Sequence, residues 1–157
     1  MDATITLKQY LGKNKTFVIP DYQRGYVWGK NRIGEKNSVE NLLDDLVLRY
    51  NNCTEVFLQG FTVTEKTDEI ILIDGQQRTT CLYLLLKWLN YKGNFNIRYD
   101  IRSDSNSFLE KIDLNDDTEN QNEQFQDVFF FKKTIRIIKD RLKAIDKEAF
   151  LAFILDN

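Results

Sequence analysis

Ile70-Ile-Leu-Ile-Asp-Gly-Gln-Gln-Arg-Thr-Thr80 is the stretch on which the reading of this chain turns. Four branched apolar residues, Ile70 to Ile73, predict a buried strand, and Leu82, Leu85, Leu86 and Leu89 then recur at helical spacing. The strand feeds the helix through the polar turn Asp74-Gly75. Glycine lets the backbone approach a ligand closely, and the first free N–H groups of the helix would emerge beside the guanidinium of Arg78. Such a start suits an anion, above all a phosphate. The plainer alternative is that Asp74 N-caps the helix and Gly75 relieves a tight turn. Gln76, Gln77 and Arg78 tip the balance, because three consecutive long polar side chains are not needed to cap or turn anything. They also fall at a sheet's carboxyl edge, where open α/β sheets place their ligands.

A second stretch, Phe17-Val-Ile-Pro-Asp-Tyr-Gln-Arg-Gly-Tyr-Val-Trp28, holds the only proline of the chain. Pro20 forbids a continuing helix and favours extended backbone. Aromatic and guanidinium groups interleave after it. They could stack on a base, or hold a phosphate through Gln23 and Arg24. Equally, Tyr22, Tyr26 and Trp28 could fill an aromatic corner of the core, with Arg24 tied to an internal carboxylate.

Ile19-Pro-Asp-Tyr-Gln-Arg24 with Trp28, Phe57-Leu-Gln-Gly60 and Ile73-Asp-Gly-Gln-Gln-Arg78 together resemble the N-terminal domain of GmrS-type proteins, of the GmrSD family of modification-dependent (type IV) DNA restriction. The resemblance runs from about Thr4 to Leu89. Phe125-Gln-Asp-Val-Phe-Phe-Phe-Lys-Lys133 is more loosely similar to the family's following helix. It implies a ParB/sulfiredoxin-like fold, and binding and hydrolysis of an NTP, GTP or another, with magnesium. That chemistry would be coupled to sensing of modified DNA in phage defence. Carried over, Asp74, Gln76, Gln77 and Arg78 form the catalytic set, with Asp74 as a weak magnesium ligand. Gly75, Arg78, Thr79, Gln23, Arg24 and Gly60 line the nucleotide, and Tyr22, Gln23, Arg24 and Tyr26 face DNA. Many relatives carry proline where this chain has Gly25, which implies a less rigid loop before Tyr26.

Composition narrows the classes further. A chain of 157 residues is long enough to bury one well-formed core, so a single domain is expected. No apolar run is long enough to span a bilayer, and Met-Asp-Ala-Thr-Ile-Thr lacks the regions of a signal peptide, which makes the cytoplasm the expected location. Cys53 and Cys81 lie in different contexts and read as neither a disulfide nor a metal pair. Histidine is absent, so a His-Asn-His nuclease, a His-ligated zinc hydrolase or a Ser-His-Asp enzyme cannot be built from these residues. The family's nuclease belongs to a C-terminal domain or partner subunit. Phe150-Leu-Ala-Phe-Ile-Leu-Asp-Asn157 stops inside an apolar pattern and reads as a truncation, with Phe150, Phe153 and Ile154 left to be covered by further chain.

With 22 basic and 24 acidic residues the chain is no electrostatic DNA clamp, yet its charges are segregated. Asp104 to Glu123 reads as a solvated acidic loop, whereas Lys132, Lys133, Arg136, Lys139, Arg141 and Lys143 read as an exposed helix face open to DNA. Elsewhere the spacing predicts a short helix from Thr6 to Gly12, a strand from Thr16 to Ile19 and a helix from Val39 to Tyr50 with Ser38 as N-cap. A hairpin of Val56–Thr64 with Glu69–Ile73 follows, placing Gln59 and Gly60 inside its first strand. The buried helix then runs from Gln76 to about Leu89, followed by a half-buried strand from Phe95 to Arg102. One long helix spans Phe125 to Ile145 and a last one Lys147 to Leu155. The expected class is α+β: a small mixed sheet with packed helices and a helical C-terminal end. The resemblance implies a nucleotide-binding core at residues 1–102, with 103–157 as the acidic loop and the start of a helical region, treated as a single domain. Beside the hydrolysing sensor stand two alternatives: a non-hydrolysing module that recognises modified DNA and regulates a separate nuclease, and a scaffold in which Tyr22, Gln23, Asp74 and Arg78 form a buried network.

Overall fold

The computed structural model describes residues 4–115 and 125–157. In chain order these form α1 (Leu7–Leu11), β1 (Thr16–Ile19), α2 (Ser38–Asn52), β2 (Thr62–Glu65), β3 (Glu69–Asp74), α3 (Gln76–Trp88), β4 (Asn96–Tyr99), α4 (Ser103–Glu110), α5 (Gln126–Arg141) and α6 (Lys147–Asp156). The sheet runs β2-β3-β1-β4, with β1 parallel to both neighbours and β2 antiparallel to β3. This is the expected α+β class with a mixed sheet.

Register places Phe17 beside Ile70 and Ile97, so Phe17, Ile19, Ile70, Leu72, Ile97 and Tyr99 share the buried face of the sheet. The opposite face is more open, although Val18 in its middle is buried. There Ile71 is half-buried and Ile73 is 42% exposed, so only alternate residues of the apolar run Ile70–Ile73 are buried. A strand buried on both faces and one buried on a single face cannot be told apart from four apolar residues alone. Val18, Ile71, Ile73 and Tyr22 line a concavity of about 440 Å³ on this face, together with Arg98 and Glu69. At the β4 edge, Asn106 of α4 imitates a neighbouring strand: the Tyr99 N–H donates to its Oδ1 at 2.8 Å, and its Nδ2 donates to the Tyr99 carbonyl at 2.7 Å.

α3 is buried on nearly every side, as expected of a helix with apolar residues around its whole circumference. Its Thr80 hydroxyl meets Tyr99 OH at 2.8 Å, and Tyr83 OH donates to the Leu109 carbonyl at 2.8 Å. α5 packs on both α2 and α3 and brings the fully buried Phe131 against Tyr26, Tyr99 and Phe108.

Several boundaries differ from expectation. Asn37, not Ser38, caps α2, because its Oδ1 reaches the Glu40 N–H while the Glu40 carboxylate bonds back to the Asn37 N–H. Residues 56–61 lie outside β2, which leaves Gln59 and Gly60 in irregular backbone. The acidic tract is not simply a loop: residues 103–110 form α4, anchored by buried Ser105 and Leu109, while residues 116–123 fall outside those described. The basic residues do not make one continuous exposed face, although Arg141 and Lys143 are exposed. Lys133 is buried with Nζ donating to Asn31 at 2.9 Å, Lys132, Arg136 and Lys139 are half-buried, and Arg141 joins Glu40 and Asp44 of α2. α5 ends at Arg141, leaving Leu142 and Ile145 beyond it. Nor is the last apolar stretch left uncovered. Phe150 and Ile154 are buried in the core cluster, and Phe150 and Phe153 both meet Tyr50 edge-on. Among the described residues no helix is long and apolar enough to cross a membrane.

Cys81 is enclosed by the core and Cys53 is exposed. Burial pushes the Cys81 thiol up to about 12, so at neutral pH it stays protonated, and the thiolate is the reactive form. A thiol reagent at pH 7.5 should therefore modify Cys53 rapidly in the native protein and Cys81 only after unfolding. Rapid double labelling of folded protein, read by intact mass, would contradict this packing.

Candidate functional site at the start of the central helix

β3 delivers Asp74 and Gly75 to the first turn of α3. Gly75 takes φ of +97°, a left-handed conformation that favours glycine, and a Cβ there would sit 2.4 Å from Phe61 Cδ1. Two constraints therefore require this glycine, one torsional and one steric. Asp74 does not cap the helix: its Oδ1 accepts from the adjacent Gly75 N–H at 2.9 Å, and no side chain caps α3. The initial N–H groups of a buried helix are thus left without a side-chain acceptor, an arrangement that attracts anions.

Arg78 projects from this first turn. Its guanidinium lies 5.8 Å from the Trp28 ring and 5.6 Å from the Phe61 ring, while Nη2 donates to Gln59 Oε1 at 2.9 Å. Burial lowers its pKa and the neighbouring Asp74 carboxylate raises it; a guanidinium stays charged under both influences. The aromatic faces hold the cation without neutralising it, which leaves its remaining donors for an anion. Gln59, Phe61 and Trp28 thus belong to the site although the sequence pattern did not assign them there. The available signal was Gln59-Gly60 falling near an aromatic residue between two apolar runs.

The Pro20–Trp28 loop closes the other side. Gln23 Nε2 donates to the Ile73 carbonyl at 2.9 Å, and Gln76 Nε2 donates to Gln23 Oε1 at 2.8 Å. Gln77 has a different task from the one the sequence suggested. It is 6% exposed, its Nε2 donates to the Gly25 carbonyl at 2.9 Å, and its Oε1 accepts from the Val27 N–H at 2.9 Å. Both ends of its amide hold the loop, so it is a clamp and does not address water at the turn.

Other expected site residues separate. Tyr26 cannot face DNA: it is fully buried, with its hydroxyl 2.9 Å from Thr134 Oγ1 and its ring against Phe131. Thr79 is buried and donates back to the Gly75 carbonyl at 2.9 Å, so it braces the turn rather than lining it. Gly60 is exposed, with nothing within 4 Å of where its Cβ would be, so no close contact demands glycine there. Tyr22 is 66% exposed over the concavity of the open sheet face, and Arg24 is exposed beside it in sequence. Gly25 is not in a loose loop, because its Cβ would fall 2.1 Å from Asp127 Oδ1. Among the described residues no group of three or more His, Cys, Asp and Glu side chains gathers as a metal site. Asp74 alone could share a magnesium ion only with phosphate oxygens and water, a common pattern for that ion.

The fold and turn define an α+β domain in which a polar cluster joins a central helix to the loop after β1. Residues 7–157 match the family described as GmrSD restriction endonuclease, N-terminal domain, and the chain belongs to that family. Membership places it in DNA restriction. No curated protein and no solved structure matched the chain.

Replacing Gly75 with alanine should destabilise the protein by about 2 kcal/mol or more, since left-handed strain and overlap with Phe61 act together. Urea unfolding that shows no loss would mean that the turn relaxes without cost.

Proposed function

We propose that the Asp74–Arg78 turn binds the phosphates of a nucleoside triphosphate with magnesium and hydrolyses it, as the sensing step of a DNA restriction system whose nuclease lies elsewhere. The observation that carries this reading is Arg78, held between Trp28 and Phe61 at a helix start with no side-chain cap. Its side-chain hydrogen bond goes to the neutral Gln59, while the neighbouring Asp74 carboxylate acts on it through space.

In this reading the N–H groups after Gly75 and the Arg78 guanidinium bind phosphate oxygens. Asp74 supplies one carboxylate oxygen to magnesium, which neutralises phosphate charge when bound. Gln76 donates through Nε2 to Gln23, leaving its Oε1 to accept a hydrogen bond from the attacking water and so orient it. Arg24, exposed on the adjoining loop, supplies a second positive charge for the ligand.

Calorimetric titration with GTP, ATP, CTP and UTP in magnesium tests this directly. Wild-type protein should bind at least one saturably, and Arg78→Ala, folded by circular dichroism, should lose about tenfold to a hundredfold in affinity. Retained affinity in the folded variant would remove Arg78 from the site.

The exposure of Tyr22 over the open sheet face favours a second reading, recognition of modified DNA without hydrolysis. Under it, DNA affinity should fall steeply with salt and be indifferent to nucleotide. A nucleotide-dependent change in DNA affinity, read by fluorescence anisotropy, would exclude that reading.

A further inference from the structure

The loop that carries Gln23 is gripped from two sides. From α3, Gln77 holds the Gly25 carbonyl and the Val27 N–H. From α5, Asp127 closes on Gly25, Thr134 meets the Tyr26 hydroxyl, and Phe130 lies 3.4 Å from where a Gly29 Cβ would be. Asp127 is the unusual member of this second grip. It is 4% exposed and its Oδ2 accepts from Ser105 Oγ at 2.8 Å, with Arg102 Nη1 at 3.4 Å. A buried carboxylate costs several kcal/mol in lost hydration unless it is paired, and this one is paired with two residues flanking the start of α4. Its other oxygen, Oδ1, occupies the space beside Gly25 that any side chain there would need. A side chain at position 25 and the Asp127 carboxylate in its present place are therefore sterically exclusive.

We propose that Asp127 is a positioning residue for the Asp74–Arg78 site: seated against Gly25 and held by Arg102 and Ser105, it fixes the loop that presents Gln23 to Gln76, and so lets the α4–α5 layer regulate nucleotide binding. This rests on the nucleotide reading above. The path is short. Gly25 is two residues from Gln23, and the same Gly25 carbonyl is bonded by Gln77, the neighbour of Gln76. A shift of Asp127 that released Gly25 would strain the Gln77 clamp and the Gln23–Gln76 pair together. Arg102 is the accessible part of the device. Its side chain is 39% exposed and lines a concavity of about 260 Å³ between the starts of α4 and α5, so a contact made there would act on Asp127 directly.

The test uses the full 157-residue chain, with GTP, ATP, CTP and UTP in magnesium as probes and thermal unfolding alongside. Gly25→Ala should weaken nucleotide binding about tenfold through its collision with Asp127, and Gly25→Ala with Asp127→Ala, which removes Oδ1 and Cγ and leaves only the flexible end of Arg102 at 2.9 Å, should bind as well as Asp127→Ala alone. Arg102→Ala removes the cation but leaves Asp127 its hydrogen bond from Ser105; with its folding checked by thermal unfolding, it should weaken binding severalfold with Arg102→Lys restoring part of it, and this arm decides the matter should Gly25→Ala not fold. Wild-type binding that Arg102→Ala leaves unchanged would overturn the proposal, as would a Gly25→Ala loss that Asp127→Ala fails to relieve. A wild-type chain that binds none of the four nucleotides would instead overturn the reading of the site itself, and this inference with it.

Discussion

The buried amide of Gln77 is the interaction on which the rest of the site depends. An amide offers a donor and an acceptor at one end of a short side chain, and the Pro20–Trp28 loop presents a carbonyl at Gly25 and an N–H at Val27. No regular secondary structure satisfies those two backbone groups, so without Gln77 they would be left in a partly buried place at a cost of about 1–3 kcal/mol each. The clamp fixes the loop, the loop puts Trp28 over Arg78 and Gln23 beside Gln76, and the polar cluster follows. A single side chain thus converts two segments 50 residues apart into one surface.

Much of the fold was legible because period and punctuation agreed. Thr16–Ile19, the Gln76 helix and the short final helix stand where apolar spacing placed them. What was missed depends on long-range contact. The exposure of Ile73 depends on which elements pack against each face of the sheet, which no local pattern encodes. α4 was hidden because Ser103–Glu110 is poor in apolar residues; its order comes from Ser105 bonding Asp127 and Leu109 entering the core. The basic face was misread for the same reason, since charge sequence reports neither Asn31 under Lys133 nor Asp44 opposite Arg141.

At the site the same division holds. The strand–turn–helix and the need for glycine at position 75 could be read directly, because the turn chemistry is local. The separate tasks of Gln76 and Gln77 could not, since adjacent positions on a helix point about 100° apart and only the fold decides which meets the loop. Tyr26 carried the same ambiguity as Tyr22. One became core and the other surface, through the position of α5.

Asn106 settles how far the sheet can grow. By occupying both backbone hydrogen-bonding groups of Tyr99, its side chain removes the template that an unpaired edge offers to a strand from another molecule. On the far side β2 is only four residues long and its pairing is interrupted by a register shift between Thr62 and Val63. A parallel core is ordinarily protected from edge-to-edge association by flanking layers. Here one asparagine and one irregular strand provide that protection, and the open face can stay accessible without the sheet becoming a nucleus for self-assembly.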